Sequence, residues 1–167
     1  MLVAAVLVAG AVLGACSSGG ASADQATAAT SAVGSTFNLP DDAKSCLQEH
    51  FAANGTAARA MTSTSELSSS QQAAVAKVLE TCVSVDQWAQ VVAGRISSAL
   101  PPADSSKLVT QVNCLTGAVT GLDDTQRRAL LVGLVVIKTA PQTGGLAVQR
   151  GAVLNTLYKA CSVTPGA

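Results

Sequence analysis

One histidine and five cysteines are the side chains of this sequence that could support nucleophilic, redox or metal chemistry. His50 follows Cys46 by four residues, so the two share one face of a predicted helix. A hydrolytic triad or a Cys-His pair would have to use His50, but no G-x-S-x-G motif accompanies it. As a metal or haem ligand, His50 has no companion three or four residues later. We therefore interpret His50 as a helix-face or core side chain and predict no metal or cofactor.

Paired carboxylates and paired glycines offer no clearer chemistry. Asp41-Asp42 and Asp123-Asp124 lie where helices are predicted to begin, and the helix dipole with its free N–H groups accounts for both pairs. The glycine pairs lack a following lysine and a preceding strand, so the sequence contains no phosphate-binding loop. We predict no catalytic residues and no enzymatic activity.

Residues 1–15 have the composition of an export signal. Every residue from Leu2 to Ala15 is aliphatic, alanine or glycine. The run is long enough for the apolar part of a secretory signal but shorter than the roughly 20 residues that span a bilayer. The first residues lack the basic side chain with which such signals usually open, which leaves room for a start codon further upstream.

The end of the apolar run, Leu13-Gly14-Ala15-Cys16, resembles the bacterial lipobox, in which a branched aliphatic residue precedes an obligatory cysteine by three places. The resemblance implies cleavage between Ala15 and Cys16 and a diacylglyceryl group, with palmitate-like chains, on the Cys16 sulfur. Two or three acyl chains, at about 0.8 kcal/mol per buried methylene, would hold the protein on the membrane permanently. The alternative is a buried N-terminal helix with Cys16 in the core, and it does not explain why the run ends in small residues.

Residues 16–36 are predicted to form the acylated cysteine and a flexible tether. From Ser17 to Thr36 the chain consists mainly of serine, alanine, glycine and threonine. Such a segment buries too little apolar surface to offset the entropy of ordering. A random coil of about 20 residues would hold the folded part on the order of 25 Å from the bilayer.

Four cysteines remain once Cys16 is assigned to lipid: Cys46, Cys82, Cys114 and Cys161. In an exported chain this even number predicts two disulfides, with three possible connectivities. None of the four lies in a C-x-x-C pair, which argues against a zinc knuckle or a thioredoxin-like redox motif.

Residues 37–167 are predicted to form one all-α domain, a bundle of about six helices. Apolar residues recur at intervals of three and four, and capping residues, glycines and prolines separate the stripes. Capping boxes are predicted at Ser68-x-x-Gln71 and Asp123-x-x-Gln126. The six stripes run from Cys46 to Phe51, Val75 to Cys82, Trp88 to Leu100, Leu108 to Val119, Leu130 to Val135 and Leu146 to Cys161.

The two halves of this domain resemble each other. Each contains a Leu-Pro pair followed by a Cys-Leu pair, and each has an apolar stretch that leads to its second cysteine. This alignment favours bridges within halves, Cys46 with Cys82 and Cys114 with Cys161. A rival alignment of "LSSSQQAAV" with "LDDTQRRAL" places Ile137 opposite Cys82, so the connectivity stays open.

Composition limits the function further. Ten basic and ten acidic side chains balance, which argues against a nucleic-acid partner. The alanine- and valine-rich, lysine-poor chain is similar to the small exported lipoproteins of high-GC Gram-positive bacteria. We therefore expect a lipid-anchored protein on the extracytoplasmic face of the cell membrane, with a binding or structural role towards an unknown envelope protein. The alternative is a carrier of a small hydrophobic ligand, with a pocket between helices near Leu130 to Ile137.

Overall fold

The computed structural model describes residues 19–98, 105–136 and 145–163, and these form eight α-helices without a strand. The helices are α1 (Ala23–Phe37), α2 (Asp41–Ala53), α3 (Gly55–Met61), α4 (Ser69–Cys82), α5 (Val85–Ser98), α6 (Ser105–Thr120), α7 (Asp124–Val136) and α8 (Gly145–Ala160). The all-α prediction is confirmed. The predicted number of about six helices is wrong, because it omits α1 and α3.

Helix α1 contradicts the prediction of a flexible tether over residues 16–36. It begins at Ser22, whose hydroxyl accepts a hydrogen bond from the Gln25 N–H, while the Gln25 side chain accepts one from the Ser22 N–H. Its inner face carries Ala26, Ala29, Val33 and Phe37, all buried. Small side chains on this face let α2 and α3 pack closely against it, and that contact orders a segment whose composition alone would leave it unfolded. The folded domain therefore begins well before residue 37.

Helix α3 follows α2 without a connecting loop because Asn54 caps the end of α2 and the start of α3. The Asn54 N–H donates to the His50 carbonyl at 3.0 Å and so ends α2. The Asn54 side-chain oxygen accepts from the Ala57 N–H at 3.0 Å and so caps the start of α3. Asn54 therefore ends one helix and begins the next.

Reciprocal capping boxes define the start of four helices. The two predicted boxes, Ser68 with Gln71 and Asp123 with Gln126, are confirmed. The same pattern joins Ser22 to Gln25 and Ser84 to Gln87. In each box the glutamine side chain accepts from the backbone N–H of the capping residue, so two otherwise unpaired N–H groups are satisfied at once. The predicted acidic helix starts are also confirmed, because Asp41, Asp42 and Asp124 lie in first turns.

Alanine, valine and leucine build most of the core, as the composition predicts. The largest side chains that it encloses include Trp88, Phe37 and Phe51. Helices α1 to α4 pack on one another and α7 packs on α8. The two halves are joined by α5 packing on α6 and by contacts of α4 and α1 with α7. Within the described ranges, no helix is both long and apolar enough to cross a bilayer.

Two disulfides connect the helices within each half of the domain. Cys46–Cys82 joins α2 to the last residue of α4, and Cys114–Cys161 joins α6 to the residue that follows α8. The Cα–Cα distances are 5.5 and 5.7 Å, inside the usual range for a bridge. The prediction of two disulfides is confirmed. The two alignments of the halves left the connectivity open, and the observed connectivity keeps each bridge within its half.

Candidate functional site

The histidine and the first disulfide lie together. Sγ of Cys46, Sγ of Cys82 and a ring nitrogen of His50 are all within 4.8 Å of one another, and the three side chains are half-buried. Cys46 and His50 are four residues apart on α2, which puts them on the same face one turn from each other. Cys82 reaches them from the end of α4, which packs across α2. The described residues contain one such group of three metal-ligating side chains, and this is it.

The sequence pattern around His50 did not predict this cluster. His50 has no ligand three or four positions later, and that observation is correct. The helical partner instead lies four positions earlier, at Cys46, and this spacing is visible in the sequence. The contribution of Cys82 depends on the packing of α4 against α2, which no local spacing contains.

A cleft of about 370 Å³ opens beside His50. It is lined by Gly19, His50, Ala53, Asn54, Lys77, Val78 and Thr81. The Thr81 hydroxyl donates to the Lys77 carbonyl at 2.7 Å and is therefore occupied. Within the described part of the chain, the His50 ring and the Lys77 ammonium make no hydrogen bond or ion pair. The cleft thus presents two nitrogen groups that are free to meet a ligand.

One wall of the cleft is formed by the segment that precedes α1. The Gly19 carbonyl accepts from the Gly55 N–H at 2.9 Å, and the Ala21 N–H donates to the Ala52 carbonyl at 2.9 Å. These two bonds hold the start of the described chain against the junction of α2 and α3. Gly55 permits the contact, since a Cβ there would lie 2.7 Å from the Gly20 carbonyl oxygen.

We expect Gly55→Ala to lower the free energy of unfolding by about 1–3 kcal/mol, because the added methyl group overlaps backbone that cannot rotate away. Urea unfolding of the purified protein measures the effect. Gly94→Ala is the matched control, because its Cβ would meet nothing within 4 Å on α5. That change should raise stability by about 0.5–1 kcal/mol, since alanine favours a helix interior. Equal effects of the two substitutions would contradict the close contact at Gly55.

The predicted acylation site lies outside the described residues. Neither Cys16 nor Ala15 is described, and Cys16 precedes Gly19 by three residues. An extended chain spans at most about 3.6 Å per residue, so an interval of three residues covers at most roughly 11 Å.

The helix proposed to line a carrier pocket is α7, and seven of its 13 residues are buried. Among the described residues, clefts of about 170, 180 and 220 Å³ lie beside it. Gln149 lines the smallest and the largest of these clefts and Arg127 lines the other, so none is a purely apolar cavity. Ile137, the end of the predicted pocket, is outside the described residues.

Comparison with known proteins identifies no relative. No protein-family model matches the chain, and no curated protein or solved structure shows significant similarity to it.

Proposed function

We propose that this chain is an exported lipoprotein, anchored to the outer face of the cell membrane through acylated Cys16, whose helical domain binds a partner in the cell envelope. The observation that carries the proposal is the state of the cysteines. Both disulfides lie within the domain and use the four cysteines other than Cys16. Disulfides form and persist in oxidising compartments outside the cytoplasm. Cys16 is the fifth cysteine of the sequence, and it ends the lipobox-like segment.

The short distance from Cys16 to Gly19 supports a domain that rests near the lipid surface. The tether interpretation implies a gap on the order of 25 Å between domain and bilayer. With residues 23–37 helical and Gly19 bonded to Gly55, only two residues, Ser17 and Ser18, separate the proposed anchor from Gly19. The junction of α2 and α3 would then face the membrane, and the cleft beside His50 would open close to the headgroups.

The binding role is supported by the same cleft. Within the described ranges, His50 and Lys77 line it without hydrogen-bond or ion-pair partners, so a bound group with hydrogen-bond acceptors would satisfy them. Acid–base catalysis by His50 would need a carboxylate within hydrogen-bond reach of its ring, and the residues that line the cleft include none.

The carrier alternative needs an apolar cavity above about 300 Å³, and the clefts beside α7 in the described part of the chain are smaller, at about 170, 180 and 220 Å³.

Acylation is tested by expressing the full chain in a bacterium that processes lipoproteins. We expect the protein in the membrane fraction, with a mature N-terminus at Cys16 and an added mass of two or three acyl chains by intact mass spectrometry. Cys16→Ser should abolish the modification and prevent cleavage before residue 16. A wild-type chain that is cleaved elsewhere, or that carries no lipid, would refute the anchor.

A further inference from the structure

The Cys46–Cys82 bridge differs from the second bridge by the histidine beside it. A ring nitrogen of His50 lies within 4.8 Å of both Cys46 and Cys82 sulfurs. The Cys114–Cys161 bridge has no third metal-ligating side chain at comparable distance among the described residues. Two sulfurs and one imidazole nitrogen form a common ligand set for zinc. Once the bridges are reduced, the Cys46 and Cys82 thiols therefore have an imidazole beside them, which the other two thiols lack among the described residues.

The positions of the three ligands suit tetrahedral coordination. Zinc bonds of about 2.3 Å to sulfur and about 2.0 Å to nitrogen place tetrahedral ligand atoms roughly 3.5–3.8 Å apart. The three ligand atoms already lie within 4.8 Å of one another. Cys46 and His50 are held one turn apart on α2, so rotation of the side chains can complete the arrangement without a change in helix packing.

The fourth coordination position would face the cleft. His50 belongs both to the three-ligand cluster and to the lining of the 370 Å³ cleft, so a metal held there is reached by water. Three protein ligands with one open position are typical of zinc sites that bind a water or an exchangeable ligand, whereas structural sites are closed. Two thiolates also neutralise the double positive charge of the ion, so the nearby Lys77 ammonium is not repelled by a net positive charge at the site.

We propose that Cys46, His50 and Cys82 form a Zn²⁺ site that is available only when a dithiol has reduced the bridge. The dithiol transfers two electrons and two protons to the Cys46 and Cys82 sulfurs and becomes a disulfide itself. Zn²⁺ then displaces the two thiol protons and binds the two thiolates and the neutral imidazole. Exchange with the disulfide form of that dithiol reverses the step: the two thiolate electrons pass to that disulfide, which takes up two protons, the Cys46–Cys82 bond re-forms and the ion is released. The site links the redox state of this half of the domain to metal binding.

The test uses the purified full chain with Cys16→Ser, so that the fifth cysteine contributes no thiol. The protein is reduced with dithiothreitol, freed of reductant without oxygen, and titrated with Co²⁺ as an optical probe of zinc sites. We expect one ion per chain, with thiolate-to-cobalt charge-transfer absorption. The oxidised protein should bind none. Alkylation followed by mass spectrometry should show that Zn²⁺ protects Cys46 and Cys82 but leaves Cys114 and Cys161 reactive.

Two variants test the assigned ligands. His50→Ala should weaken Co²⁺ binding by at least about tenfold, because loss of even an outer-shell group commonly costs that much. His50→Cys should restore binding, since it returns a ligand to the same position. Circular dichroism of each reduced protein reports whether the helices persist.

Three results would overturn the proposal. They are equal protection of all four cysteines, unchanged Co²⁺ affinity in the His50→Ala variant, and reduced protein that unfolds and binds no metal. Because the experiments use Cys16→Ser protein, their failure leaves the acylation of Cys16 untouched. An unacylated wild-type chain, in turn, would not affect the metal site.

Discussion

Phe37→Ala is expected to lower the free energy of unfolding by about 3–5 kcal/mol, the usual cost of removing a buried phenylalanine side chain. Phe37 is 2% exposed and is the largest buried side chain on α1. A whole domain is commonly stable by only about 5–15 kcal/mol, so the variant should lose much of its stability. Urea unfolding followed by circular dichroism gives the difference directly.

Ser31→Ala is the matched control on the same helix. Ser31 is exposed in the middle of α1, so its replacement should change stability by less than about 0.5 kcal/mol. Together the two variants test whether α1 belongs to the cooperative core or is an appendage. A Phe37→Ala variant as stable as Ser31→Ala would restore the interpretation of this segment as a tether.

Removal of the first bridge by Cys46→Ala with Cys82→Ala is expected to cost about 4 kcal/mol. The bridge closes a loop with a sequence separation of 36 residues, and the chain-entropy relation gives a cost of that size at 25 °C. The midpoint of urea unfolding should fall accordingly, with the second bridge intact by non-reducing peptide mapping.

The second bridge provides the comparison, because its separation is 47 residues. The loop lengths are so similar that the entropic costs should differ by only about 0.2 kcal/mol. Cys114→Ala with Cys161→Ala should therefore destabilise the protein to nearly the same extent. A loss below about 1 kcal/mol for either pair would show that the bridge contributes little to holding the fold.

Helix α1 shows why composition can mislead about order. A segment of alanine, serine, threonine and glycine has the composition of a flexible spacer, and this composition is the basis for predicting a tether. The sequence nevertheless contains the start signal Ser22-x-x-Gln25, identical in form to the correctly interpreted Ser68-x-x-Gln71. Alanine is also the best helix former, and Val33 with Phe37 completes an apolar stripe. The local signal for a helix is therefore present. Because the buried face is made mostly of alanine, it differs little in hydrophobicity from the exposed face, and the apolar periodicity is weak.

Local physical chemistry explains the features that were predictable from the amino-acid sequence. Capping boxes, prolines and apolar spacing specify helices because they act over three or four residues, and they correctly predict the all-α fold and most helix starts. The even number of cysteines after Cys16 correctly predicts two disulfides. The helix signals depend on residues that are neighbours along the chain, and the number of bridges follows from the cysteine count alone.

Contacts between groups that are distant along the chain depend on how the helices pack. The pairing of Cys46 with Cys82 and the approach of both sulfurs to His50 depend on how α4 packs against α2. The attachment of Gly19 to Gly55 depends on a close backbone approach between segments 36 residues apart. Such contacts arise from the packing of many small side chains in three dimensions, and a pattern of local spacing carries no information about them.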